Sequence, residues 1–253
     1  MLSAKGFEAA FAYFQLFLEG LITTVTLSAL TVLFGFMLAL VLALMRMSSF
    51  QPLRFLDKPG ACKAARIISK FNPVSLIANV YVEVFRATPL MVQLFIVYHI
   101  LLSDLDLPTF KLFGLIRFER FIPGVIALSL NSGAYLSEII RSGIQSIDGG
   151  QTEAARSLGM TQWQNMRYII LPQAIKNILP AIANEFVTII KESSICWTIG
   201  AVEIMAVVQS VTAATYRAGE PLIVAACLYF CLTFPTSKII EHFERKMSRG
   251  DKR

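Results

Sequence analysis

Four stretches of this chain, residues 20–45, 87–103, 121–137 and 221–237, contain no Asp, Glu, Lys or Arg. A helix rises 1.5 Å per residue, so about 20 apolar residues cross a hydrocarbon core of ~30 Å. The first stretch is long enough alone, and the others become so when a flanking turn is added. Composition agrees: 55% of the residues are hydrophobic and 16% charged, against about 25% charged in an average soluble domain. Disorder is excluded by that apolar content, and a collagen-like chain by 14 glycines without a period. The net charge of +6 does not point to nucleic acid, because in a membrane chain the placement of cations carries the information.

These stretches predict an all-α polytopic membrane protein with one domain over 1–253 and five transmembrane helices, at about 20–45, 74–102, 121–141, 177–199 and 221–241. Residues 7–18 read as a short interfacial helix, and no cleavable signal peptide is expected with Lys5, Glu8 and Glu19 so placed. Sixteen cations fall in the connections 46–73 and 141–176 and in the tail, against five on the opposite side. The positive-inside rule therefore puts the N-terminus outside and the C-terminus in the cytoplasm. The six cations of 46–73, Lys58 and Arg66 among them, can meet anionic headgroups. No internal repeat is visible. A pathway through five helices would be narrow and incomplete, so a second copy or a sister subunit is expected.

Three predicted spans place polar groups at similar depth: Arg86 and Thr88, then Asn131 and Ser132, then Lys191, Glu192, Ser193 and Ser194. A Lys or Arg at the bilayer centre costs ~2.5–3.5 kcal/mol on insertion scales, so such residues mark function. Two cations, a carboxylate and several hydroxyls complement a zwitterion. The competing reading pairs Glu83 with Arg86 at i,i+3, as Glu138 pairs with Arg141 near the cytoplasmic end. Glu185 is expected to brace helix packing or the entrance. Lys191 and Glu192 are adjacent, hence about 100° apart on a helix, and need partners other than each other.

The cytoplasmic segment DGGQTEAARSLGMTQWQNMRYIILPQ (148–173) is too ordered for a plain connector. Thr152 is expected to cap a helix beginning at Glu153, and Gly159 to end it in the left-handed conformation. Thr161 and Gln164 have capping-box spacing for a second helix, which Pro172 is expected to limit. Ala154, Leu158, Met160 and Trp163 make this hairpin a candidate docking surface; a surface hairpin packed on the chain's own span ends is the alternative.

Glu153-Ala154-Ala155, three residues, Gly159, nine residues, Ile169, Ile170, Leu171 and Pro172 resemble the EAA signature of ABC importer permeases. VEVFRATPLMVQLF (82–95) is similar to the FFRGTPLLVQ stretch of the polar amino-acid uptake branch. NEFVTIIKESS (184–194) is similar to its NEF…KDTS, and YLSEIIRSGIQSI (135–147) to its AEIFRGGIQSI. The resemblance covers about residues 20–245. Ala87 stands where Gly is usual, Glu192 where Asp is usual, and Cys196-Trp197 where a small or aliphatic pair is usual. It implies the permease subunit of a bacterial importer in the cytoplasmic (inner) membrane, with residues 148–173 seated on a separate ATPase. It further implies two ABC ATPase chains holding ATP and Mg, a second permease subunit, surrounding lipid and an extracytoplasmic amino-acid-binding protein, with no cofactor in this chain and no nucleic acid. Arg86, Thr88, Asn131, Ser132, Lys191, Glu192 and Ser193 then become substrate-site candidates, and Glu153, Ala154, Ala155, Gly159, Leu171 and Pro172 coupling residues.

Other readings have less to stand on. An ion-coupled secondary transporter is supported by the mid-membrane charges alone, and a membrane-embedded enzyme lacks any nucleophile–base pair. There is no P-loop, GxGxxG or HExxH. Cys62, Cys196, Cys227 and Cys231 form no disulfide pattern, and His99 and His242 suggest no metal site. The orientation has a direct check. In a background without native cysteines, a cysteine at Ser49 is expected to stay unlabelled by an impermeant thiol reagent added outside intact cells. Labelling there overturns the topology.

Overall fold

The computed structural model describes residues 2–56, 63, 67, 69–112 and 114–248. Lys58, Cys62, Arg66, Arg249, Lys252 and Arg253 lie outside the described residues. The chain opens with α1 (Ala4–Phe11), capped by the Ser3 hydroxyl, which accepts from the Gly6 N–H at 3.0 Å. A turn separates it from α2 (Phe14–Arg46). The expected single helix over 7–18 is therefore two elements, with the long helix starting earlier than its uncharged run.

Helix α2 packs along α5 (Phe118–Gln145). The α2 face turned inward carries Phe17, Leu27 and Leu42 but is otherwise small or hydroxylated: Gly20, Thr23, Thr24, Ser28, Thr31, Gly35, Ala39 and Ala43. Such residues let membrane helices approach closely where no hydrophobic force draws them together. Helix α5 buries fifteen of its 28 residues, which makes it the centre of the bundle. Leu33, Phe34, Met37 and Val41 on α2, and Phe230 and Phe234 on α10 (Gly219–Ser248), are exposed, as lipid-facing residues should be.

The second predicted span is not straight. Helix α3 (Pro73–Ala87) stops at Thr88, and α4 (Leu90–Ile96), prolonged by a π-helical turn over Val97–Leu101, leaves it at 111°. Pro89 supplies the reason: its ring pushes the preceding residue out of the helical region, and Thr88 is extended at φ −107° and ψ 144°. A two-residue β-hairpin, β1 (Lys111–Leu112) with β2 (Ile116–Arg117), leads into α5; the sequence reading did not include it.

After α5 come α6 (Gly149–Ser157) and α7 (Gln162–Asn165), a π-helical turn over Met166–Ile170, and α8 (Leu171–Glu192). Asp148, not Thr152, caps α6, its carboxylate accepting from the Gly150 N–H at 2.6 Å. Nor does Pro172 end the second helix. It sits in the first turn of α8 behind the widened π turn, where its missing N–H removes nothing that the helix needs. The fourth predicted span thus begins inside the hairpin and runs on as a 3-10 turn over Ser193–Ile199. After a 48° bend, α9 (Ile204–Thr215) follows, an element that the sequence reading leaves between spans.

Among the described residues, α2 and α10 are each long and apolar enough to cross a membrane, and counting each bent pair as one span brings the number to four. The third predicted span, 121–141, lies in α5, which is long enough but less apolar because its polar residues face other helices. About two turns before the end of α5, Glu138 pairs with Arg141, as expected, and also with Arg46 at 2.6 Å. Arg46 donates to the Asn79 carbonyl at 2.8 Å, so one knot joins the ends of α2, α3 and α5.

Candidate functional site

Pro89 frees carbonyl groups at the end of α3, and in lipid each must find a donor within the protein. Gln93, one turn into α4, supplies it. Its Nε2 donates to Phe85 O at 2.8 Å, Thr88 O at 3.0 Å and Thr88 Oγ1 at 2.8 Å. Its Oε1 accepts from Asn131 Nδ2 at 2.9 Å. The Thr88 hydroxyl in turn donates to Val84 O. Two of the predicted site residues, Thr88 and Asn131, are therefore engaged in repairing the break. Ser132, fully buried, donates to Glu185 Oε1 at 3.2 Å and fixes α8 against α5; Glu185 has the bracing role expected of it. The Ser193 hydroxyl donates to Ile190 O at 2.8 Å within its own turn.

The charges behave differently. Arg86 is exposed and makes no ion pair with Glu83; its guanidinium lies over the Tyr135 ring, 5.7 Å from the centroid. Lys191 is exposed and Glu192 half-buried. Among the described residues none of the three forms an ion pair, and Lys191 and Glu192 do not pair with each other. Both line a groove of about 830 Å³ with Leu90, Ile195, Trp197, Met205 and Tyr229. The groove thus runs from the start of α4, just past the first break, to the start of α9, just past the second. It offers a cation and a carboxylate on a mainly apolar wall, the makeup of a site that orients a small polar ligand.

A second surface stands at the N-terminal end of α8. Gly159 is left-handed at φ +78°, the Met160 N–H reaches Ala155 O, and the Gly159 N–H reaches Arg156 O. This pair of bonds satisfies carbonyls left over at the end of α6. Thr161 and Gln164 form the expected capping box, and Asn165 Nδ2 donates to Thr152 Oγ1 at 3.2 Å, closing α6 on α7. Glu153, Ala154 and Gly159 face outward, whereas Ala155 is buried inside the hairpin. Leu158 is 82% exposed and Trp163 68%, two large apolar side chains with no cover in this chain. Leu171 and Pro172 are exposed on the first turn of α8, behind the hairpin.

The sequence reading passed over Gln93, whose signal was a proline inside a span with an amide one turn beyond it. It also passed over Glu203. Here the signal was an acid between Gly200 and a helix-length apolar run.

The family described as "Binding-protein-dependent transport system inner membrane component" matches residues 60–249. The chain is 40% identical to the arginine transport system permease protein ArtQ of Bacillus subtilis over 245 residues, covering 97% of this chain and 98% of that protein. It is 38% identical to the putative glutamine transport system permease protein GlnP of Rickettsia conorii, covering 90% and 91%. A crystal structure of an amino acid ABC transporter with histidines contains a chain 41% identical, with a TM-score of 0.80 over 97% of this chain and 100% of that one.

The repair of the first break has a measurable consequence. Gln93→Leu and Asn131→Leu are each expected to lower unfolding stability in detergent by ~1–3 kcal/mol, because buried partners lose a hydrogen bond. A double-mutant cycle should give a coupling of about 0.6–1.7 kcal/mol, the range measured between membrane helices. Additivity within ~0.3 kcal/mol would separate the two residues.

Proposed function

Because this chain belongs to the binding-protein-dependent transport system inner membrane component family, we propose that it is the transmembrane subunit of a bacterial ABC importer for a polar amino acid. It resides in the cytoplasmic membrane, crosses it five times, and has its N-terminus outside and its C-terminus inside. Two such subunits, identical or homologous, pair to complete the pathway. Two ATPase chains bind ATP and Mg and dock on the cytoplasmic face. An external binding protein delivers the ligand. Its relatives are permeases for arginine and for glutamine, which supports an amino acid with a polar or cationic side chain.

The observation that carries this reading is the closed hairpin of α6 and α7, which holds Leu158 and Trp163 out with nothing of this chain over them. A subunit without a P-loop needs such a face to receive work from another chain. Arg86 and Lys191 meet the ligand carboxylate, and Glu192 meets an ammonium, whether the α-amino group or a cationic side chain. Thr88, Asn131 and Ser132 serve the ligand by holding the broken helix and α8 in place, and Ser193 by turning the end of α8.

Docking is tested by Leu158→Glu. The side chain is exposed, so insertion and thermal stability should not change. Co-purification with the ATPase should fall about tenfold or more, the effect of losing one interface anchor. Normal association moves the docking surface elsewhere, and transport that persists without any ATPase favours an ion-coupled mechanism.

The charges are tested in assembled complexes. Arg86→Ala, Lys191→Ala and Glu192→Gln should each assemble with the ATPase but transport poorly, with ligand binding weakened roughly ten- to a hundredfold, since a charge-assisted hydrogen bond is worth ~1.5–3 kcal/mol. Glu192→Gln should impair L-arginine more than L-glutamine. Normal transport by all three variants would send the ligand along another path.

A further inference from the structure

Glu203 is completely buried, 0% exposed, and among the described residues forms no ion pair. It stands at the second break, as the residue before α9. A helix start leaves its first N–H groups without internal partners, and here every one of them is met. The Ile204 N–H reaches Thr24 Oγ1 at 3.4 Å. The Met205 N–H donates to Glu203 Oε2 at 2.9 Å, and the Ala206 N–H to Glu203 Oε1 at 2.8 Å. Helix α2 makes room for this arrangement: a Cβ on Gly20 would lie 3.1 Å from the backbone of both Glu203 and Ile204. The end of α9 is thus pressed against α2, with the carboxylate at its head.

One bond leaves this local arrangement. The Tyr229 hydroxyl, on α10, donates to Glu203 Oε2 at 2.9 Å. Tyr229 and Met205 are also two of the residues that wall the groove holding Lys191 and Glu192. The same carboxylate therefore fixes both the α9 and the α10 sides of that groove. A cap alone would need no contact with α10.

We propose that Glu203 is a positioning residue for the transported ligand: through the Tyr229 hydroxyl it holds the α10 wall against the α8–α9 bend and so sets which side chains the groove admits beside Glu192. The inference rests on the reading of that groove as the ligand site. Tyr229→Phe is the informative variant, because it keeps the ring and the two bonds from Glu203 to the α9 N–H groups, and removes the link together with the hydroxyl's contact to Thr24. Glu203→Gln keeps one acceptor oxygen but presents an amide where the carboxylate took donors.

The experiment measures direct binding of L-arginine and L-glutamine to the purified permease–ATPase complex in detergent, without binding protein, alongside thermal unfolding. Tyr229→Phe is expected to change the arginine-to-glutamine affinity ratio about tenfold, the worth of one charge-assisted hydrogen bond. Glu203→Gln should change it in the same direction, and the double variant no further than the larger single effect. A selectivity ratio unchanged in Tyr229→Phe and Glu203→Gln, even with lowered unfolding temperatures, makes Glu203 a structural brace and overturns the proposal. Independent, additive effects of the two variants overturn it as well. Lys191→Ala and Glu192→Gln separate the two levels of the argument: if these bind both amino acids normally, the groove is not the ligand site and both readings fall together.

Discussion

A helix that breaks inside a hydrocarbon layer exposes N–H and C=O groups to surroundings that offer no partner, so each break must bring its own polar side chains. This chain breaks twice at depth. At Thr88-Pro89 the orphans are carbonyls, and Gln93, held by Asn131, donates to them. Before Ile204 the orphans are N–H groups, and Glu203 with Thr24 accepts from them. The sign of the repair follows the end of the helix: an amide donor for a C-terminus, a carboxylate for an N-terminus. The rest of the bundle is arranged around these two points. Both repairs reach across to another helix, α5 in the first case and α10 in the second.

The breaks also explain why a groove can exist in so apolar a molecule. Continuous helices packed along their length leave little space between them. Two helix pairs that turn by 111° and 48° leave a recess at the turn, and Leu90 and Met205 mark its two ends. Lys191 and Glu192 stand between them at the end of α8. Among the described residues neither charge has an ion-pair partner, and two hydroxyls that line the groove with them are engaged elsewhere, Thr188 donating to Asn184 O and Tyr229 to Glu203 Oε2. A site with its neutral donors spent on structure and its charges left over is suited to a zwitterion, whose own charges are what the site lacks.

Much of this was legible in the residues. Uncharged runs located the long helices, and Gly159 and the Thr161–Gln164 spacing located the turn of the hairpin, because both are local effects of backbone geometry. What was not legible depended on partners distant in sequence. Nothing near Glu203 announces that Tyr229, 26 residues on, will donate to it, nor does anything near Arg46 announce Glu138, 92 residues away. Hydropathy alone could not separate a straight span from the pair α3 and α4, since a bent apolar segment has the same composition as a straight one. Pro172 misled for a related reason: a proline after a π turn begins a helix as readily as it ends one.

The two surfaces of the chain, hairpin and groove, are joined by one element. From Gln162 to Ile199 the backbone is helical throughout, and the 22 residues of α8 alone span about 33 Å at 1.5 Å per residue. Its N-terminal end is fastened to the hairpin through the π turn and to the C-cap of α5 by Asn177 donating to Ser146 Oγ at 3.0 Å. Its far end carries Lys191 and Glu192. Two places along this rod have a weakened hydrogen-bond ladder, the π turn over Met166–Ile170 and Pro180 inside α8, whose ring removes one donor. Ser132 and Glu185 tether the rod to α5 a second time, about two turns before the end of α8. The 48° bend that Glu203 caps is where the rod ends and α9, with Met205 on the groove wall, begins.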